Sequence, residues 1–182
     1  VVVPVKNFRA NAEATAEAIT ENTILLVGSA PSYPHGLIDP ISKIAKLAHR
    51  HNILCHVDSC IGGFMLPFVK QLGSPTIDFD FNVKGVTSIS ADMHKYGYAP
   101  KGASIVLYKN PELRKFQFSV YTNWSGGVYG SPTILGTRPG GNIAGAWAAL
   151  KGIGKDGYLE MANETMLATK QLVDGINEID EL

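Results

Sequence analysis

Four short apolar runs recur along the chain, at Thr23–Val27, Ile53–Val57, Val86–Ile89 and Ala103–Tyr108. Each has strand length, is rich in Val, Ile or Leu, and alternates poorly, the pattern of strands covered on both faces. The intervening stretches carry helical patterns instead. Ala12–Glu21 is alanine-rich, with Asn11 placed to cap its first turn. After Asp39-Pro40, Ile41, Ile44, Ala45 and Ala48 follow the i, i+3, i+4, i+7 rule of a half-buried helix. The aspartate is expected to cap that helix and the proline to fill its first position. Ile143–Lys151 and Tyr158–Glu178 read as further helices. Asn123–Asn142, with six glycines and two prolines, predicts a long loop, and long loops are often functional. Strand–helix–strand alternation predicts an α/β fold, a mostly parallel sheet flanked by helices.

Composition narrows the picture. The chain has 182 residues, enough for one domain with a sizeable core. Sixteen basic and sixteen acidic residues cancel, so no net field points to nucleic acid or an anionic membrane. No run approaches the roughly 18 apolar residues of a membrane span. Only Cys55 and Cys60 are present, which excludes a disulfide framework and suggests a reducing compartment. His49, His51 and His56 lack a recognised ligand spacing, so no metal site is expected. His49 and His51 suit a helix C-terminus, where cations are favourable. Val1–Val5 reads like a strand entered partway, and Glu178–Leu182 stops inside a helical pattern. The expectation is a fragment of a longer subunit.

The chemistry lies in two segments. His56-Val-Asp58 ends one predicted strand, and Ser88-Ile-Ser-Ala-Asp-Met-His-Lys-Tyr-Gly-Tyr98 carries His94-Lys95 just past the next. Ligands of open α/β sheets gather at the carboxyl ends of strands, so Asp58 and Lys95 are expected to share one crevice. A lysine amine and a carboxylate for a ring nitrogen are what pyridoxal phosphate needs. Plainer readings stand beside this one. Lys95 alone could be a turn lysine, Asp58 a strand-end cap, and His94 a histidine packed under a loop. His94 could also donate to a phosphate or move a proton. By alternation, His56 shares a strand face with Asp58. Lys101 is either a second charge for a substrate phosphate or a solvated turn residue.

Four stretches go further: Ser29–Gly36 (Ser-Ala-Pro-Ser-Tyr-Pro-His-Gly), His56–Phe64 (His-Val-Asp-Ser-Cys-Ile-Gly-Gly-Phe), Lys84–Gly102 and Tyr129–Gly140. In order, and along essentially the whole chain, they resemble the sphingosine-1-phosphate lyases. Those enzymes belong to the group II decarboxylase-like branch of the fold type I pyridoxal phosphate enzymes. The resemblance implies pyridoxal 5′-phosphate as cofactor, held covalently by Lys95, with Asp58 on its ring nitrogen and His94 near its phosphate. It places His56 and Ser131 in the cofactor site, makes Lys101 a second active-site lysine, and gives Tyr33 a functional position.

The implied reaction cleaves a phosphorylated sphingoid base, by retro-aldol chemistry, to a long-chain aldehyde and phosphoethanolamine. An amino-acid decarboxylase of the same family, or a truncated non-catalytic subunit, are the alternatives. A homodimer with shared active sites is implied, the Ser131–Gly141 loop reaching the neighbour's phosphate pocket. Family members also carry an upstream phosphate loop, a ring-stacking histidine and a downstream small domain. Residues 1–182 therefore read as a partial large domain. The implied location is cytoplasmic, or the cytosolic face of the endoplasmic reticulum if the full-length protein carries an anchor.

Overall fold

In the computed structural model, which describes residues 1–180, the apolar runs pair into one central sheet; Glu181 and Leu182, the end of the last helical pattern, lie outside the described residues. The chain opens with a small antiparallel pair, β1 (Val5–Lys6) and β2 (Arg9–Ala10), and helix α1 (Ala12–Glu17). Then come β3 (Leu25–Ser29), α2 (Ile41–His51), β4 (Leu54–Asp58), α3 (Leu66–Gln71), β5 (Ser88–Ala91) and β6 (Ile105–Tyr108). Short α4 (Pro111–Arg114), hairpin strands β7 (Ser119–Trp124) and β8 (Gly127–Ser131), and α5 (Gly140–Asn177) complete it. The central sheet has the order β3-β4-β5-β6. Its first three strands are parallel, and β6 runs antiparallel to β5.

The α/β reading therefore holds, with three differences in detail. First, the strands alternate: Leu26, Cys55, Val57 and Ile89 are buried, while Leu25, Val27 and Leu54 between them are 41–55% exposed. The buried set packs against Ile41, Ile44, Ala45 and Ala48 of α2 and against Phe79, Val83 and Val86. Among the described residues only one face of β3 and β4 is covered, not both as the apolar runs suggested. Branched residues on the second face hide the alternation in the sequence.

Second, Asp39 does not cap α2. Pro40 holds the cap position without a side-chain bond. The buried Asp39 carboxylate instead accepts from the Ala10 and Ser29 amides, both at 2.7 Å, tying β2 to β3. Asn11 does cap α1, accepting from the Glu13 and Ala14 amides, although α1 stops at Glu17. Third, the expected loop at Asn123–Asn142 contains the β7–β8 turn and all of β8. Of the Val1–Val5 run, only Val5 is in a strand.

At its far end α2 stops at Asn52, whose left-handed φ of 54° suits asparagine better than most residues. His49, Arg50 and His51 occupy its last turn. In α5, Gly154 adopts φ 65°, ψ 177° and separates the two predicted helical stretches. Among the described residues no helix is long and apolar enough to cross a membrane.

Candidate functional site

Register builds the site. Ser29, Asp58 and Ser90 stand abreast at the carboxyl ends of β3, β4 and β5, with Val27, His56 and Ser88 abreast one pleat earlier. Residues two apart along a strand share a face, so His56, Asp58, Ser88 and Ser90 project from the sheet face opposite α2.

Asp58 Oδ1 accepts the Cys60 amide and the Ser90 hydroxyl, each at 3.1 Å. Burial pushes the carboxyl up. The Cys60 amide and side chain, Ser90 and nearby His56 outweigh it, leaving Asp58 below its ordinary value and charged at neutral pH. The turn that follows must run close under the sheet ends. A Cβ on Gly62 would lie 2.2 Å from the Ala30 carbonyl oxygen, so any larger residue there forces the backbone apart.

Lys95 follows β5, on the next strand over. Its ammonium makes a 2.8 Å ion pair with Asp92. That hydrogen bond, with the Cys60 side chain adding to it, pushes the amine up to about 12 despite partial burial. Asp92 also accepts the Ser104 hydroxyl. These bonds to Lys95 and Ser104 hold Asp92 below the usual carboxylate value against the opposing effect of its burial. His94 donates Nδ1–H to the Ala103 carbonyl at 2.7 Å, leaving Nε2 3.7 Å from Asp92. The backbone turns sharply afterwards: Tyr98 has φ 54°, and a Cβ on Gly97 would meet Met93 backbone at 2.6 Å. Helix α5 pins this turn, its Tyr158 hydroxyl donating to the Gly97 carbonyl at 2.7 Å while its ring stacks on Phe68.

Of the sequence candidates, then, Asp58, His56, His94 and Lys95 fall on neighbouring strand ends, linked through Ser90, Cys60 and Asp92. Tyr33, Lys101 and Ser131 are not hydrogen-bonded to this group among the described residues. Tyr33 is 83% exposed and Lys101 is exposed in a turn. Ser131 is buried at the end of β8 and donates to the Thr133 carbonyl. Sequence reasoning did not single out Asp92, Cys60, Ser88 or Ser90. Asp92 had a signal in its charge three residues before Lys95; Ser88 and Ser90 had one in their period of two. Cys60, placed by the turn, had none.

The donor set fits pyridoxal phosphate: a charged carboxylate for a ring N–H and an amine for the aldehyde, on adjacent strand ends of one α/β sheet. That is the chemistry of a pyridoxal-dependent enzyme. The family model for the pyridoxal-dependent decarboxylase conserved domain matches residues 2–181, and the chain belongs to that family. It is 56% identical over 181 residues to sphingosine-1-phosphate lyase of Arabidopsis thaliana, covering 99% of this chain and 33% of the relative. To sphingosine-1-phosphate lyase 1 of Rattus norvegicus it is 54% identical, over 92% of this chain and 28% of the relative. The solved sphingosine-1-phosphate lyase of Burkholderia pseudomallei superposes with a TM-score of 0.86 at 46% identity, over 90% of this chain and 38% of that one. A glutamate decarboxylase of Lactobacillus brevis, 24% identical over 92% of this chain and 38% of its own with a TM-score of 0.76, shares the fold. The chain spans about a third of the length of the curated relatives it matches.

Proposed function

We propose that this chain forms the cofactor-bearing part of a carbon–carbon lyase that cleaves phosphorylated sphingoid bases to a long-chain aldehyde and phosphoethanolamine. The observation that supports the chemistry is that Asp58 ends β4 while Lys95 lies in the turn that follows the adjacent parallel strand β5. The substrate class is supported by identity to sphingosine-1-phosphate lyases along nearly the whole chain.

When bound, pyridoxal phosphate supplies an electron sink conjugated to the substrate's amine carbon. Lys95 offers the amine that holds the cofactor covalently and yields to the substrate amine. The Asp58 carboxylate receives the ring N–H in a charge-assisted hydrogen bond and keeps the ring protonated. With Nδ1–H given to Ala103, His94 donates from Nε2 towards a phosphate only as the doubly protonated imidazolium. The C3 hydroxyl of the substrate loses its proton, the Cα–Cβ bond breaks as the aldehyde carbonyl forms, and a proton returns to Cα. Lys101, a solvated cation six residues beyond Lys95, is assigned to the substrate phosphate, and Tyr33 to its surroundings.

A second copy of the chain is part of this proposal. The β7–β8 hairpin exposes Val120, Trp124, Val128 and Tyr129 at 50–72%, and Ile134, Leu135, Ile143 and Trp147 are exposed as well. Large apolar side chains exposed in this number suit a surface that packs against further protein. The loop after Ser131 also holds a buried Thr133 hydroxyl without a partner among the described residues, which fits a loop completed by a neighbouring subunit. The expected species in sedimentation is a dimer of the full-length protein; a stable monomer removes the shared site.

Full-length protein incubated with pyridoxal phosphate and reduced with borohydride should carry the label on Lys95 by peptide mapping. It should turn over a phosphorylated sphingoid base and leave glutamate and aromatic amino acids unchanged. Carbon dioxide release from an amino acid, without aldehyde from the sphingoid base, would make it a decarboxylase instead.

A further inference from the structure

The sheet face that carries Asp58 also carries a hydrogen-bond chain with no direct part in bond cleavage. His56 Nδ1 lies 2.8 Å from Ser88 Oγ, and its Nε2 lies 3.3 Å from Ser90 Oγ. Ser90 Oγ in turn donates to Asp58 Oδ1 at 3.1 Å. Counting protons fixes the direction of every link. A serine hydroxyl has one hydrogen, and Ser90 gives its hydrogen to the Asp58 carboxylate. At the His56 contact Ser90 can therefore only accept, so Nε2 carries the N–H. A neutral imidazole then has its acceptor at Nδ1, and the Ser88 hydroxyl fills it. Burial lowers the basicity of His56, against the pull of Asp58, in keeping with a neutral ring. All the links point the same way, from Ser88 through His56 and Ser90 to the carboxylate.

We propose that His56 is a positioning residue: through Ser90 it holds the Asp58 carboxylate ionised and in one orientation towards the cofactor's ring nitrogen. This rests on the pyridoxal phosphate reading of the site. Without His56, Ser90 loses the donor that turns its own hydrogen towards Asp58, and the hydroxyl becomes free to rotate. The carboxylate then keeps the Cys60 amide as its fixed hydrogen-bond donor. Aligned hydrogen bonds strengthen one another in a low-dielectric setting, so breaking either link should release the same effect. If His56 merely packs between strands, its loss changes stability and leaves the cofactor's electronics alone.

The test uses the full-length holoenzyme with His56→Leu, Ser90→Ala, the double variant and His56→Gln. Each single change should weaken pyridoxal phosphate binding and lower kcat by about tenfold, as is usual for a group that orients a ligating one, with KM for substrate unmoved. The double variant should be no worse than either single one, because both cut one chain. His56→Gln, whose amide N–H can still donate to Ser90, should recover most of the loss. In wild type, nitrogen-15 shifts of the imidazole should report the Nε2–H tautomer. An Nδ1–H tautomer, additive losses, or a Ser90→Ala protein with undiminished cofactor affinity would each overturn the role. If His56→Leu fails to fold, Ser90→Ala and the wild-type tautomer decide the matter. A wild type that takes up no pyridoxal phosphate overturns this role together with the functional reading. A wild type that binds it with Nδ1 protonated overturns the role alone.

Discussion

The two faces of the central sheet are built from the same strands and do opposite things. On one, Leu26, Cys55, Val57 and Ile89 meet α2 and are at most 8% exposed. On the other, the alternate positions begin with apolar Leu25, Val27 and Leu54 and end in His56, Asp58, Ser88 and Ser90. The cysteines show the contrast in miniature. Cys55, on the covered face, has its thiol pushed up to about 11 by burial and is a packing residue. Cys60, two residues past Asp58, donates its amide to that carboxylate. Close packing needs apolar side chains of fitted shape, whereas a site needs polar groups with unused bonding capacity. A strand, with its period of two, can serve both needs over the same few residues.

The difference is broken most severely by Lys95→Ala. If the residues at the carboxyl strand ends are chemistry and not scaffold, the full-length variant should lose at least about a thousandfold in turnover, since the amine proposed to hold the cofactor is then gone. Its melting should barely move, because an ion pair this close to solvent contributes about 0–1 kcal/mol. Thermal unfolding and a product assay on the same sample check this. A variant that turns over normally removes Lys95 from the chemistry. One that melts far below wild type shows instead that the two faces are not separable.

Ile44→Ala is the converse experiment. Ile44 is 1% exposed in the α2–sheet core, and deleting its buried methyl and methylene groups should cost about 2–5 kcal/mol. Denaturant unfolding should show that loss, while the fraction that stays folded keeps wild-type labelling of Lys95. If labelling falls in proportion to a change seen in the folded state itself, the covered face reaches into the site, and the division drawn between the faces is too sharp.

How much of this was legible in the sequence depended on which face a residue serves. The four strands were visible as apolar runs, and α2 as a clean 3.6-residue period, because burial against one partner leaves a strong pattern. The ends were less well read: β3 and β5 lie two residues later than their apolar centres, since polar Ser29 and Ser90 are still paired. Two-sided coverage was expected from the apolar runs, whereas among the described residues Leu25, Val27 and Leu54 of the second face are apolar yet exposed. Asp39 was misread as a cap because Asp-Pro before a helix is a local signal, and the long-range bonds to Ala10 and Ser29 that claim its carboxylate have none. Asp58, His94 and Lys95 were legible by type and place. The bonds that tune them, from Ser90, Cys60 and Asp92, depend on strand register and turn geometry, which the sequence does not display.

The smallest effect, and the finest test of the site beside that face, concerns how Lys95 is kept. Asp92 holds its ammonium at 2.8 Å and raises its pKa to about 12. An amine must be neutral to attack an aldehyde. Tighter proton binding therefore lowers the reactive fraction at every pH below about 12, in proportion to the proton affinity gained. Capture of pyridoxal phosphate by the full-length apoprotein should accelerate about tenfold per pH unit across the neutral and mildly alkaline range. Asp92→Asn removes the countercharge, lets the amine fall towards its ordinary value of about 10.4, and should speed capture at pH 8 by about tenfold. The stability linkage has the opposite sense. A raised lysine pKa means the ion pair stabilises the fold below the unfolded lysine value, and that contribution fades as pH rises through about 12. Asp92→Asn should thus bind its cofactor faster while melting slightly lower at neutral pH. Stopped-flow absorbance over a pH series reads the first effect and calorimetry the second. Equal capture rates in the two proteins would show that Asp92 does not govern the charge on Lys95, and that the pair serves to fix the turn after β5.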